Sequence, residues 1–137
     1  MADLSVTAAN VVKGSTAEVK DGIAAVTITA GQVLYADASD GFKLKLAQCD
    51  TTAAEAAVVG IALNGGSANQ PIRYITRGKY NPGGTVTIGI IYALSAAAGA
   101  IAPNADLTTG NRVTVLGIGT TASEIDVQIH VSGVAKP

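Results

Sequence analysis

"EIDVQIHV" (Glu124–Val131) decides the fold class of this chain. Its residues alternate with period two. Ile125, Val127, Ile129 and Val131 are expected on one side, with Asp126, Gln128 and His130 on the other. That is the pattern of a half-buried antiparallel strand. Working outward, "VTIT" (Val26–Thr29) and "FKLKL" (Phe42–Leu46) alternate in the same way. "AAVVGIAL" (Ala56–Leu63) and "VTVLGIG" (Val113–Gly119) are more continuously apolar, as strands covered on both sides would be. Gly60 and Gly117 inside them predict a bulge, a bend or a close backbone approach. Turn chemistry separates the runs: "SDGF" (Ser39–Phe42) is an Asp-Gly hairpin signal, and "NGGSANQP" (Asn64–Pro71), "NPGG" (Asn81–Gly84) and "TTGN" (Thr108–Asn111) read as loops. "TTAAEAA" (Thr51–Ala57) and "ALSAAAGA" (Ala93–Ala100) are helical in composition but too short to stand alone. The expected fold is therefore all-β, a compact sandwich or barrel of short antiparallel strands.

The chain repeats itself at a shift of 57 residues, the distance from Tyr35 to Tyr92. Ala36 then falls on Ala93, Thr51 and Thr52 on Thr108 and Thr109, and Val58, Gly60 and Ile61 on Val115, Gly117 and Ile118. Val33/Ile90, Leu34/Ile91, Leu44/Ile101 and Val59/Leu116 are conservative matches. Two readings fit: related β units about a pseudo-two-fold, or two similar hairpin meanders. Residues 1–27 belong to neither copy and form an N-terminal arm or an edge strand. Residues 28–137 form the β domain.

The 137 residues suit one domain with a real core. Apolar residues make up 48% and charged residues 14%, against a usual charged share of about 25%. So low a charge points to a surface partly covered by other protein, because interface centres are depleted of charge. Aromatics are 4%, too few for a typical ligand pocket. The net charge of −1 attracts no nucleic acid, and no apolar run reaches the length of a membrane span. No signal peptide is visible at the start of the sequence.

Chemistry-bearing patterns are sparse. His130 is the one histidine, and Cys49 the one cysteine, with no CxxC partner. "DASD" (Asp37–Asp40) sits beside a glycine, but the further oxygen ligands of a Ca²⁺ loop do not follow, so it reads as a turn. "NGGS" lacks the Lys and helix of a phosphate loop. The one charge cluster is "RYITRGKY" (Arg73–Tyr80), with Arg73, Arg77 and Lys79 interleaved with tyrosines, and no acid occurs from Ala56 to Ala105. These types are enriched at protein interfaces. No catalytic, cofactor-binding or metal-binding residue is assigned.

"ITAGQVLYADASDGFKLKLAQCD", "VVGIALNGGSANQPIRYI", "GGTVTIG", "YALSAAAGAIAPNADLTTGNRVTVLGIGT" and "IHVSGVAKP", with "VTAANVVKG" near the start, resemble the capsid cement or decoration proteins of tailed bacteriophages. The likeness runs through nearly the whole chain and consists of strand-and-turn phrases, without a catalytic signature. It implies an all-β, non-enzymatic protein without cofactor, a homo-oligomer and commonly a trimer. Such a protein is made in the host bacterial cytoplasm, sits on the outer surface of the virion head and bridges major capsid proteins. By analogy, the candidate capsid or subunit contacts are Leu4, Val6, Val11 and Val12 of the arm, with Arg73, Arg77 and Lys79 facing an acidic shell. The alternatives are a head-fibre protein, a carbohydrate- or receptor-binding β module, and a small β-barrel hydrolase or isomerase.

Overall fold

The computed structural model describes residues 3–137. The chain is all-β, with ten strands in one antiparallel sheet that curls into a half-barrel. The strands are β1 (Val12–Lys13), β2 (Glu18–Ile23), β3 (Val33–Asp37), β4 (Lys43–Leu46), β5 (Val58–Ala62), β6 (Pro71–Asn81), β7 (Ile91–Leu94), β8 (Ile101–Pro103), β9 (Arg112–Gly119) and β10 (Ile125–Ala135). Their spatial order is β4-β3-β5-β6-β10-β9-β7-β8, with β1 and β2 also on β6.

This order reads the same from either end once β3, β4, β5 and β6 are matched with β7, β8, β9 and β10. In each half the first strand pairs with the two that follow it, and β6 meets β10 at the centre. Each half also carries an irregularity at the same place. The β3–β5 register skips Val59, and the β7–β9 register skips Leu116, the residue before Gly60 or Gly117. A Cβ on Gly60 would strike the Tyr74 ring and the Ile75 carbonyl; on Gly117 it would strike the Asp126 carbonyl. The glycines permit this close strand approach, which is why both copies keep them. The sequence match fades after Leu63 and Thr120 because the next connections differ in length: residues 63–70 link β5 to β6, and 120–124 link β9 to β10.

The main core lies inside the curl and draws on both halves, with Val33, Tyr35 and Ile61 from the first, Tyr92, Leu94 and Leu116 from the second, and Ile75, Tyr80, Ile125 and Val127 from the central pair. Leu34, alternating with its neighbours, faces a second cluster on the other side of the first half. Ala24 of the N-terminal segment and Ile28 just after it help to close it over Leu44, Ala62 and Ile72. Tyr80 is fully buried, and its hydroxyl has no hydrogen-bond partner among the described residues. Removing a polar group that has lost water without gaining a partner is favourable. Tyr80→Phe should therefore raise stability by about 1 kcal/mol in chemical denaturation.

Three local expectations need correction. "VTIT" is not a strand: Ile28 makes one isolated bridge, to Gly66, and its side chain plugs the second cluster. The alternation in β10 holds through Ile129 but fails at Val131, which is 40% exposed. β10 pairs with β6 only from Ile125 to Gln128, so the tail runs beyond that cover. β9 is not covered on both sides, because Ile118 is 47% exposed. The two helical-looking runs form turns and the strand β7.

Candidate protein-contact surface

Arg73, Arg77 and Lys79 all lie exposed on β6, and the sheet supplies each with an acid across the strand. Arg73 pairs with Asp21 of β2, its Nε donating to Oδ1 at 3.2 Å. Arg77 pairs with Glu18, 3.8 Å from nitrogen to carboxylate oxygen. Lys79 stands opposite Asp126 of β10. These exposed pairs add little stability. They do set acids of neighbouring strands beside the acid-free run from Ala56 to Ala105, so the strand lies in a mixed-charge stripe where the sequence had suggested a basic face.

The candidate contacts of the N-terminal segment mostly turn inward. The Leu4 N–H donates to the Ile101 carbonyl at 2.7 Å, and its side chain packs on the main core, as does that of Val11. Just before it, Asp3 accepts a 2.6 Å hydrogen bond from the Ser95 hydroxyl. Val6 sits against Gly31, where a Cβ would displace it. Val12 alone of the four is well exposed. The segment thus runs from the β8 edge, past Gly83, along β6 as β1 and β2, and on to β4 through the Ala24–Leu44 bridge. Met1 and Ala2 lie outside the described residues.

His130 is exposed on β10 opposite Val115, in a shallow depression shared with Ile118, Asp126 and Gln128. Cys49 is buried, and burial, with a smaller effect from Asp50, pushes its thiol up to about 11. It stays protonated at neutral pH and is a poor nucleophile. Among the described residues, no group of three metal-ligating side chains comes together. Among the described residues, no helix is long and apolar enough to cross a membrane.

"DASD" is a capped turn. The Asp37 carboxylate accepts from the Lys45 ammonium at 2.6 Å and from the amide and hydroxyl of Ser39, which together hold its pKa down to about 2. A depressed carboxyl pKa stabilises the fold above its unfolded value near 4 and loses that contribution as pH falls toward 2. Asp37→Asn should therefore flatten the loss of stability between pH 4 and pH 2, read as melting temperature against pH.

Sequence reasoning missed the apolar surface of the second half. Ile91 and Ile118 are cross-strand neighbours on β7 and β9, 42% and 47% exposed, and Ile88 is exposed in the preceding loop. Leu34, which the repeat matches to Ile91, is fully buried beneath the N-terminal segment. The signal lay in the repeat itself, because the chain has one N-terminal segment to cover two similar halves. The sequence matches no protein-family model and no curated protein.

Proposed function

We propose that this chain is a non-enzymatic decoration protein of a tailed-phage head. In this reading it binds the outer surface of the assembled shell as a homo-oligomer, a trimer in the family it resembles, and bridges major capsid proteins. The observation that carries the reading is the bare Ile91–Ile118 pair on a β scaffold, where Leu34, the counterpart of Ile91 in the first half, is covered by the N-terminal segment. Paired exposed β-branched residues on a sheet form an apolar contact that buries area against another protein without any movement of the scaffold. The resemblance supplies the shell as partner, and the low charge of the chain agrees with a largely covered surface.

Cementing follows from linkage. A protein that binds the assembled shell and not its free subunits lowers the free energy of the assembled state by its binding free energy. Linked subunits add avidity without new kinds of contact. The direct test is co-sedimentation of the purified protein with undecorated, expanded heads of its own phage. Saturable binding is expected, and Ile88→Asp with Ile118→Asp should weaken it at least tenfold, about 1.4 kcal/mol. Absence of binding by the wild-type chain would overturn the proposal.

A further inference from the structure

The loop from β5 to β6 holds the one asparagine of the chain that is followed by glycine, Asn64–Gly65. Val11, Gln70, Pro82, Ala105 and Arg112 follow the others. An asparagine loses its side-chain amide most readily before glycine. The reaction starts when the next backbone nitrogen attacks the side-chain carbonyl carbon, and glycine puts no Cβ in the way. Asn64 is exposed, so water can reach it. The Gly65 N–H, the attacking group, donates to no backbone carbonyl among the described residues.

The fold ties down the other partner. Asn64 Oδ1 accepts from the Arg73 N–H at 2.6 Å, and Nδ2 donates to the carbonyls of Pro71 at 3.3 Å and Gly65 at 3.1 Å. The Arg73 carbonyl accepts from the Leu63 N–H, so the Asn64 side chain completes the end of the β5–β6 ladder. Ring closure must turn the carbonyl carbon toward Gly65 and expel Nδ2. It cannot proceed while the side chain is bound to β6. The same loop clasps the second cluster. Gly66 exchanges two backbone hydrogen bonds with Ile28, at 2.8 and 2.9 Å, while Asn69 and Gln70 bond to Ala24. Ile28 and Ala24 are the residues that close that cluster.

We propose that Asn64–Gly65 is a deamidation site kept latent by the folded hairpin: it reacts when the β5–β6 end opens, and its products no longer rebuild the native turn. In the first step the Gly65 nitrogen bonds to the Asn64 Cγ and gives up its proton, and Nδ2 leaves as ammonia. A cyclic imide results. Water then adds to one imide carbonyl and breaks its bond to nitrogen, leaving aspartate or isoaspartate at position 64. Aspartate sets a carboxylate oxygen against the Gly65 and Pro71 carbonyls, where the amide had donated, so acceptor faces acceptor. Isoaspartate carries the backbone through an extra methylene and displaces the hairpin end. Such an opening is local and therefore more frequent than global unfolding. The site belongs to this chain alone and holds whatever the protein binds.

The test is peptide mapping by mass spectrometry of the full-length protein held at mildly alkaline pH, in buffer and in urea, with each gain of about 1 Da located on the sequence. In urea, conversion is expected first at Asn64, and Gly65→Ala should slow it several-fold, because the added Cβ hinders attack. In buffer the same site should react at least about tenfold more slowly than in urea. Asn64→Asp, which makes one product directly, should melt about 5 °C below the wild type. Equal rates in buffer and urea, a different asparagine converting first in urea, or undiminished conversion in Gly65→Ala would each overturn the inference. So would an Asn64→Asp chain that melts with the wild type. The rate comparison uses the wild-type chain alone, so it decides the matter even where Asn64→Asp does not fold.

Discussion

Removing residues 1–22 should leave a chain without a cooperative thermal transition. The resemblance suggests an arm laid on a neighbour, and an arm can be cut away without harm to the domain behind it. The structure puts this segment to work within its own domain. β1 and β2 form the ladder along β6 from Pro71 to Asn81. Leu4, Val11 and Ala17 pack against the main core, and Ala24 of the second cluster follows directly after β2. These side chains are only partly buried, so each contributes about 1 kcal/mol. With the lost ladder, the sum reaches roughly 5 kcal/mol, comparable with the whole stability of a small domain. Circular dichroism on heating the truncated chain should show a broad, weak change. A sharp transition near the wild-type temperature would mean that the segment is dispensable, and would restore the arm reading.

The second large effect is expected at the bulge glycines. Gly117→Val should lower stability by about 3 kcal/mol or more, because its Cβ meets the Asp126 backbone carbonyl, which no rotamer change can clear. Gly60→Val should behave alike, since its Cβ meets the Ile75 carbonyl. Gly110→Ala is the control. Gly110 has φ of 92° but open space around it, so the change should cost only the backbone strain, about 1–2 kcal/mol. Urea denaturation of the three variants separates steric clash from conformational strain. Equal losses at Gly110 and Gly117 would remove the close-approach explanation.

The parts of this fold that could be read in the sequence are those set by local chemistry. Period-two alternation marked β10 as far as Ile129, and the Asp-Gly tip and the glycines inside β5 and β9 announced a turn and two bulges. Contacts between distant segments left no such trace. Arg73 looked like part of a basic patch because its partner, Asp21, lies on another strand, and the two meet only when β2 docks on β6. Ile118 read as core because strand apolarity alone does not tell which face of a strand is covered, and its counterpart Ile61 lies in the main core while Ile118 is exposed. Val131 continued a correct pattern past the point where β6 turns away. The repeat held a clue to the candidate surface, since Ile91 matches a buried Leu34. That pairing became informative only once burial was known.

If this protein acts as proposed, by covering and clamping other protein, bound heads should outlast bare ones under heat. Expanded heads, bare or saturated with the protein, would be heated in steps and scored for release of packaged DNA. Decorated heads should hold their DNA to a higher temperature than bare ones, and the difference should shrink when the bound protein carries Ile88→Asp and Ile118→Asp. Identical release curves for bare and saturated heads would contradict the account.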